Sequence, residues 1–267
     1  MDKTKKLSII ALTLLIIGIV GGLLTYPQMK EAEPIHEEVL IEDENFHSIE
    51  VAAESAEVIL VPTNDPYTTV QYTASSHNGI DYSFDVDVEN ETLKVVSEEE
   101  QLQFVQFDFL HTIQQITISL PEKTYESVIV DVINGNVQVE DMDIKDAQVE
   151  TVNGKLDLAD LKTSNISVFS TNGSINLDGI EGDLQGETIN GSINVKAEHL
   201  DQNIQLENVH GSIEIETNEE PTNATISADV VLGRVEIFGN SKETIVFGDG
   251  QHKVNLSSVN GKIIVKD

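Results

Sequence analysis

The stretch VINGNVQVE (132–140) is followed by TVNGKLDLA (151–159), STNGSINLD (170–178), TINGSINVK (188–196), NVHGSIEIE (208–216), VVLGRVEIF (230–238) and SVNGKIIVK (258–266). All seven share one frame, anchored at Asn134, Asn153, Asn172, Asn190, His210, Leu232 and Asn260, with spacings of 19, 19, 18, 20, 22 and 28 residues. A near-constant period that loosens toward its end predicts the coils of a solenoid, with insertions before the last one.

Aligning on the anchor exposes the candidate core. Three residues after it stand Val137, Leu156, Ile175, Ile193, Ile213, Val235 and Ile263, and five after it Val139, Leu158, Leu177, Val195, Ile215, Ile237 and Val265. The residues between them are mostly polar, which is the period-two signature of a strand with one buried face. A second alternating strand precedes the anchor. Val128, Ala147, Ile166, Leu184, Ile204, Ile226 and Val254 lie six residues before it, and Val130, Val149, Val168, Gly186, Leu206, Ala228 and Leu256 four before.

The expected fold is therefore all-β, a parallel β-solenoid or β-helix-like stack of coils of about 19 residues over 128–267. Each coil has two short strands, joined at an Asn-Gly corner and, on the far side, by turns such as Asp178-Gly179-Ile180-Glu181-Gly182-Asp183. The structural corner positions are Asn134-Gly135, Asn153-Gly154, Asn172-Gly173, Asn190-Gly191 and Asn260-Gly261, and both residue types tolerate the positive φ of a tight bend. Asn-Gly is equally the strongest signal for a meander of hairpins. The stack is preferred because like residues fall on like residues and one coil cannot bury its apolar face alone. Residues 46–127 carry strand-like runs out of register and are expected to form irregular opening coils that cap the stack.

Working outward to the N-terminus, residues 1–6 carry Lys3, Lys5 and Lys6, and Leu7 to Leu24 follow without a charge. Eighteen residues at ~1.5 Å each span ~27 Å, close to the hydrocarbon thickness of a bilayer. Residues 7–26 are expected to be a transmembrane signal-anchor helix contacting the lipid bilayer, with the lysines cytoplasmic and the bulk outside. A cleaved signal peptide is the alternative; against it, Leu23-Leu24-Thr25-Tyr26-Pro27 shows no small-x-small cleavage pattern. Residues 27–45 are acidic and unpatterned, and predict a solvated stalk.

Charge and cysteine exclude several classes. After residue 30 the chain holds 11 of its 15 basic residues and 46 of its 47 acids, a net of −35. Such a surface repels nucleic acid and anionic polymers and attracts cationic ligands or basic partners. The absence of cysteine removes disulfides, thiol catalysis and cysteine-ligated metal, and an exported domain without disulfides suits a bacterial envelope.

The stretch LPEKTYESVIVDVINGNVQVEDMDI (120–144), running into VNGKLDL, TNGSINL and INGSINV, resembles the "putative adhesin" β-strand-repeat family of bacterial envelope proteins, some of them membrane-anchored products of envelope-stress operons of the LiaG type. The resemblance covers roughly residues 46–267 and implies the fold and an extracytoplasmic setting. The function it implies is a non-catalytic, adhesin-like binding or scaffold module with an unknown envelope protein or cationic ligand as partner.

The alternative is a β-helix lyase or hydrolase acting on an envelope polysaccharide. That chemistry needs paired acids, often with a cation for an anionic intermediate. Asp157, Asp178, Glu214 and Glu236 are outward acids on different coils, Arg234 is the only arginine, and a solvated face explains the row more simply. Asp178, Glu181, Asp183 and Asp249 sit beside turn glycines without matching a calcium loop, and the seven histidines show no i, i+4 pair. No catalytic, metal or cofactor residue is assigned. Phe104, Phe107 and Phe109 cluster in a chain that is only 5% aromatic, and read either as a cap over the first coil or as a docking patch for a partner.

Overall fold

The computed structural model describes residues 12–16, 18–19, 33–42, 45–76, 81–100 and 114–267. Residues 12–16 and 18–19 are helical, and among the described residues no helix is long and apolar enough to cross a membrane. The rest of the expected 7–26 span, and the cluster of Phe104, Phe107 and Phe109, lie outside the described residues.

The other described residues are strand, turn and short loop. The chain begins with β1 (Glu33–Ile41), β2 (Ser48–Ala53), β3 (Glu57–Thr63), β4 (Thr68–Ser76), β5 (Asp81–Glu89), β6 (Thr92–Glu100) and β7 (Gln114–Pro121). The regular repeats follow as β8 (Thr124–Asn134), β9 (Val137–Asn153), β10 (Leu156–Asn172), β11 (Ile175–Asp178), β12 (Glu181–Asn190), β13 (Ile193–Ala197), β14 (Ile204–His210) and β15 (Ile213–Thr217). The chain closes with β16 (Ala224–Ile237), β17 (Thr244–Val246) and β18 (His252–Lys266).

Neighbouring repeats pair in parallel and in the register of the sequence alignment: Asn134 faces Asn153, Asn153 faces Asn172, Asn172 faces Asn190, and Asn190 faces His210. A meander of hairpins would pair them antiparallel. The four aliphatic columns turn inward and form one continuous core in which Val128, Val137, Leu156, Ile175, Ile193 and Ile213 are fully buried.

Several details differ from the sequence reading. A third short segment completes the early coils: Met142, Leu161 and Ile180 are buried after a bend at Asp141 (φ 52), Asp160 (φ 53) and Gly179 (φ 62). The expected stalk contains β1, which pairs antiparallel with β4 along its length. Ile35, Val39 and Ile41 pack against the core, a period-two face that Glu37 interrupts and so hides in the sequence.

The long spacings at the C-terminus are not insertions before a last coil. β18 lies between β14 and β16: Asn260 faces His210 on one side and Leu232 on the other. The last coil in sequence is thus the second-last in space, and β16 forms the end, partly covered by antiparallel β17. The opposite end repeats the device. β2 and β3 lie between β6/β7 and β8/β9, all parallel, with β5 antiparallel on β6 and β4 antiparallel on β7. Aromatics concentrate at these ends, with Tyr72 stacked on Phe84 at 4.6 Å at one and Phe238 edge-on to Phe247 at 5.7 Å at the other.

Candidate functional site

The corners set where outward side chains stand. Gly135, Gly154, Gly173, Gly191 and Gly261 do not have positive φ, and neither do their asparagines. Glycine is required by close approach instead: a Cβ on Gly154 would collide with the carbonyl oxygen of Gly135, and one on Gly173 with that of Gly154. Four of the five asparagines form a ladder. Asn153 Nδ2 donates to Asn134 Oδ1 (2.8 Å), Asn172 to Asn153 (2.9 Å) and Asn190 to Asn172 (2.9 Å). Amide ladders of this kind satisfy donors and acceptors along a stack of identical strands.

Beneath the corner runs a polar column that the sequence reading missed. Thr151, Ser170, Thr188, Asn208 and Ser258 are buried two residues before the anchor. Thr151 Oγ1 donates to Gly135 O (3.1 Å), Ser170 Oγ to Gly154 O (3.3 Å) and Thr188 Oγ1 to Gly173 O (3.0 Å), tying each coil to the one before. The signal was available as a hydroxyl or carboxamide two residues before five of the seven corners.

The outer face of the strand that precedes the corner is built from odd-numbered offsets. Seven before the anchor a rib of Asp146, Asn165, Asp183, Asn203 and Lys253 is tied together, with Asn165 Nδ2 on Asp146 Oδ1 (2.8 Å), Asn203 Nδ2 on Asp183 Oδ1 (3.1 Å) and the Lys253 amide on Asn203 Oδ1 (3.1 Å). Five before it stand Gln148, Ser167, Gln185, Gln205 and Asn255, all exposed. The furrow between the two ribs holds about 590 Å³ and runs over six coils. Beyond it come a mainly acidic column (Asp131, Glu150, Glu187, Glu207), broken at Phe169 and at Ser257, and an aliphatic one in which Ile133, Val152, Val231 and Val259 are exposed. Aligning outward as well as inward positions would have found these columns.

The outward acids do not converge on one another. Asp157 accepts from Asn176 Nδ2 (2.7 Å) and pairs with Lys155 (2.8 Å), while Asp178 lies 3.9 Å from Lys196. Glu214 is held below its ordinary range, first by the hydrogen bond from Lys266 (2.8 Å), which with Glu216 raises the lysine in turn. Asp201 is also held low. Burial opposes this, and bonds from the Thr222 hydroxyl (2.7 Å) and the Asn223 and Thr222 amides, with the nearby His199, outweigh it. This clasp fixes the chain where it passes over β18 toward β16.

The turn acids act locally. Asp183 is engaged by Asn203, and Gly179, Gly182, Gly248 and Gly250 all have positive φ, as turn glycines do. Among the described residues no group of three His, Asp or Glu side chains is placed to hold a metal ion. His210 takes the corner position between Asn190 and Asn260.

Comparison with solved structures returns likenesses of low identity. A "putative adhesin" of Bacteroides fragilis is 14% identical, with 87% of this chain and 97% of that one covered at a TM-score of 0.45. A "putative cell adhesion protein" of Clostridium sporogenes is 13% identical, with 88% and 99% covered at 0.43. A "putative lipid binding protein" of Parabacteroides distasonis is 14% identical, with 88% and 97% covered at 0.39. No curated protein matches the sequence. The Toastrack DUF4097 family model matches residues 46–182 and again 126–266, which takes in both inverted ends and the regular middle, and the chain belongs to the Toastrack DUF4097 family.

Proposed function

We propose that the chain is a non-catalytic binding or scaffold module of the bacterial cell envelope, held in the membrane by residues 7–26 with the β-stack outside. One observation carries the reading: the outer face repeats the same side-chain columns coil after coil, an extended surface with many equivalent positions. Solenoid faces of this kind suit elongated partners, because each added coil adds contacts of the same chemistry. The acidic character of the domain sets the partner's charge as neutral or basic.

The test uses the full-length protein in cells. It is expected to stay with membranes in high salt, to lose its C-terminal domain to protease added outside wall-stripped cells, and to crosslink to an envelope component through its outer face. Salt is decisive, since a −35 domain held only by ionic contacts dissociates when screened and a spanning helix does not. Release of new reducing ends or unsaturated sugars from wall polysaccharide by the wild type, lost on replacing Asp157 and Asp178, would overturn the reading in favour of a lyase or hydrolase.

A further inference from the structure

The furrow on the outer face has three properties that together restrict what can lie in it. Its length runs along the stack axis, across coils contributed by residues 127–129, 146–148, 165–167, 183–185, 203–205 and 253–255. Its walls therefore repeat at the spacing of hydrogen-bonded strands, about 4.8 Å. Its floor is aliphatic (Ala147, Ile166, Leu184, Ile204), with Ile129 in the first coil, and its outward side chains are mostly carboxamide and hydroxyl: Gln185, Ser167 and Asn255 make no side-chain hydrogen bond to any described residue, while Gln148 and Gln205 use Nε2 on Glu150 (2.9 Å) and Glu207 (2.8 Å) and keep their carbonyl oxygens as acceptors. Among the described residues its only cation is Lys253, against Asp146 and Asp183.

Each property removes a class of ligand. The acids and the single lysine disfavour an anionic polymer. An extended peptide presents the same side every two residues, about 6.6 Å, and drifts out of step with the coils within a few repeats. A chain of neutral sugars advances by about one strand spacing per monomer and carries hydroxyls along both edges, so successive monomers keep nearly in step with the coils even where alternate rings are turned over. Its hydroxyls both donate and accept, as the carboxamides do.

We infer that this furrow binds a neutral, hydroxyl-rich glycan laid along the stack axis, one sugar per coil, an assignment that rests on the binding-module reading. Among the described residues no aromatic side chain lines the furrow, so affinity comes from accumulated hydrogen bonds and not from ring stacking. It rises with each added sugar and levels off at about six, the number of coils that line the furrow.

The experiment titrates full-length protein in detergent, by calorimetry, with β-1,4-linked N-acetylglucosamine and glucose oligomers from dimer to octamer, and with acidic galacturonate oligomers for contrast. One neutral series is expected to bind, tightening with length up to the hexamer, and the acidic series is not. Ser167→Tyr, which fills the furrow, and the double variant Gln185→Ala/Asn255→Ala are expected to weaken binding roughly tenfold or more with an unchanged circular dichroism spectrum. Lys196→Ala on another face is expected to leave binding unchanged. Binding that ignores the furrow variants would overturn this site and leave the module reading standing. Failure of both neutral series, or preference for the acidic one, would overturn the ligand class. Failure of the cellular crosslinking as well would take the module reading with it.

Discussion

From Thr124 to Thr217 each coil lies on the one before it in sequence, whereas at both ends the chain skips a place and comes back. In the middle, one hydrophobic column continues into the next and the corner glycines stack carbonyl to Cα. At the ends, β2/β3 and β18 are tucked one place inward, and antiparallel strands and aromatic pairs close the core. Middle coils each have two like neighbours. An end coil has one, and an open parallel edge would template aggregation. Tucking the first and last coils inside gives both full pairing and leaves the edges to strands held by turns.

Removing β18 is expected to be the most damaging change, although it deletes only the C-terminus. Val254, Leu256, Ile263 and Val265 are buried, each worth roughly 2 kcal/mol, which together approach the whole stability of an ordinary domain at roughly 5–15 kcal/mol. Truncation after Gly250 should strip β16 of its parallel partner and abolish the cooperative urea transition of the C-terminal half. A terminus that merely capped the stack would cost little.

Glycine substitutions sharpen the contrast. Gly154→Ala in the middle forces a methyl onto the Gly135 carbonyl and should cost roughly 3 kcal/mol in urea unfolding. Gly239→Ala at the end meets open space, and its positive φ (72°) should cost only about 1 kcal/mol.

The Asp201 clasp belongs to the end as well. Its carboxyl is held below the ordinary 3.8, so its contribution is complete above that pH and is lost as pH falls through the lower folded value. Asp201→Ala should cost roughly 2 kcal/mol at neutral pH, and the difference from wild type should shrink as acid titration passes below that range. A constant difference across the titration would show that the carboxylate is not what holds the crossover.

The smallest effects concern the asparagines. Asn153, which gives and receives a ladder bond, should cost about 1 kcal/mol when replaced by alanine. Asn260 faces His210 and Leu232 and has no ladder partner among the described residues, so its replacement should fall within about 0.5 kcal/mol of wild type.

How much of this was legible follows the same division. The inward columns and the stack register could be read because spatial neighbours in the middle are sequence neighbours. The exchange of β16 and β18 could not, because residues 224–237 and 252–266 both carry the aliphatic frame and nothing local orders them. The corner glycines were read for positive φ, whereas what bars a side chain there is a clash between coils, which exists only once the coils are stacked. β1 was hidden by composition, its glutamates obscuring Ile35, Val39 and Ile41. The furrow emerges only when outward positions are aligned.

The order of the coils can be tested directly by disulfide formation in a chain without natural cysteine. Glu207 and Ser257 are paired across β14 and β18 and both point outward, at the ~4.8 Å of adjacent strands and within disulfide reach. The account predicts that Glu207→Cys/Ser257→Cys crosslinks on mild oxidation, while Glu207→Cys/Asp229→Cys, which joins consecutive repeats of the sequence, stays reduced because β18 lies between them. Crosslinking of the second pair and not the first would contradict it.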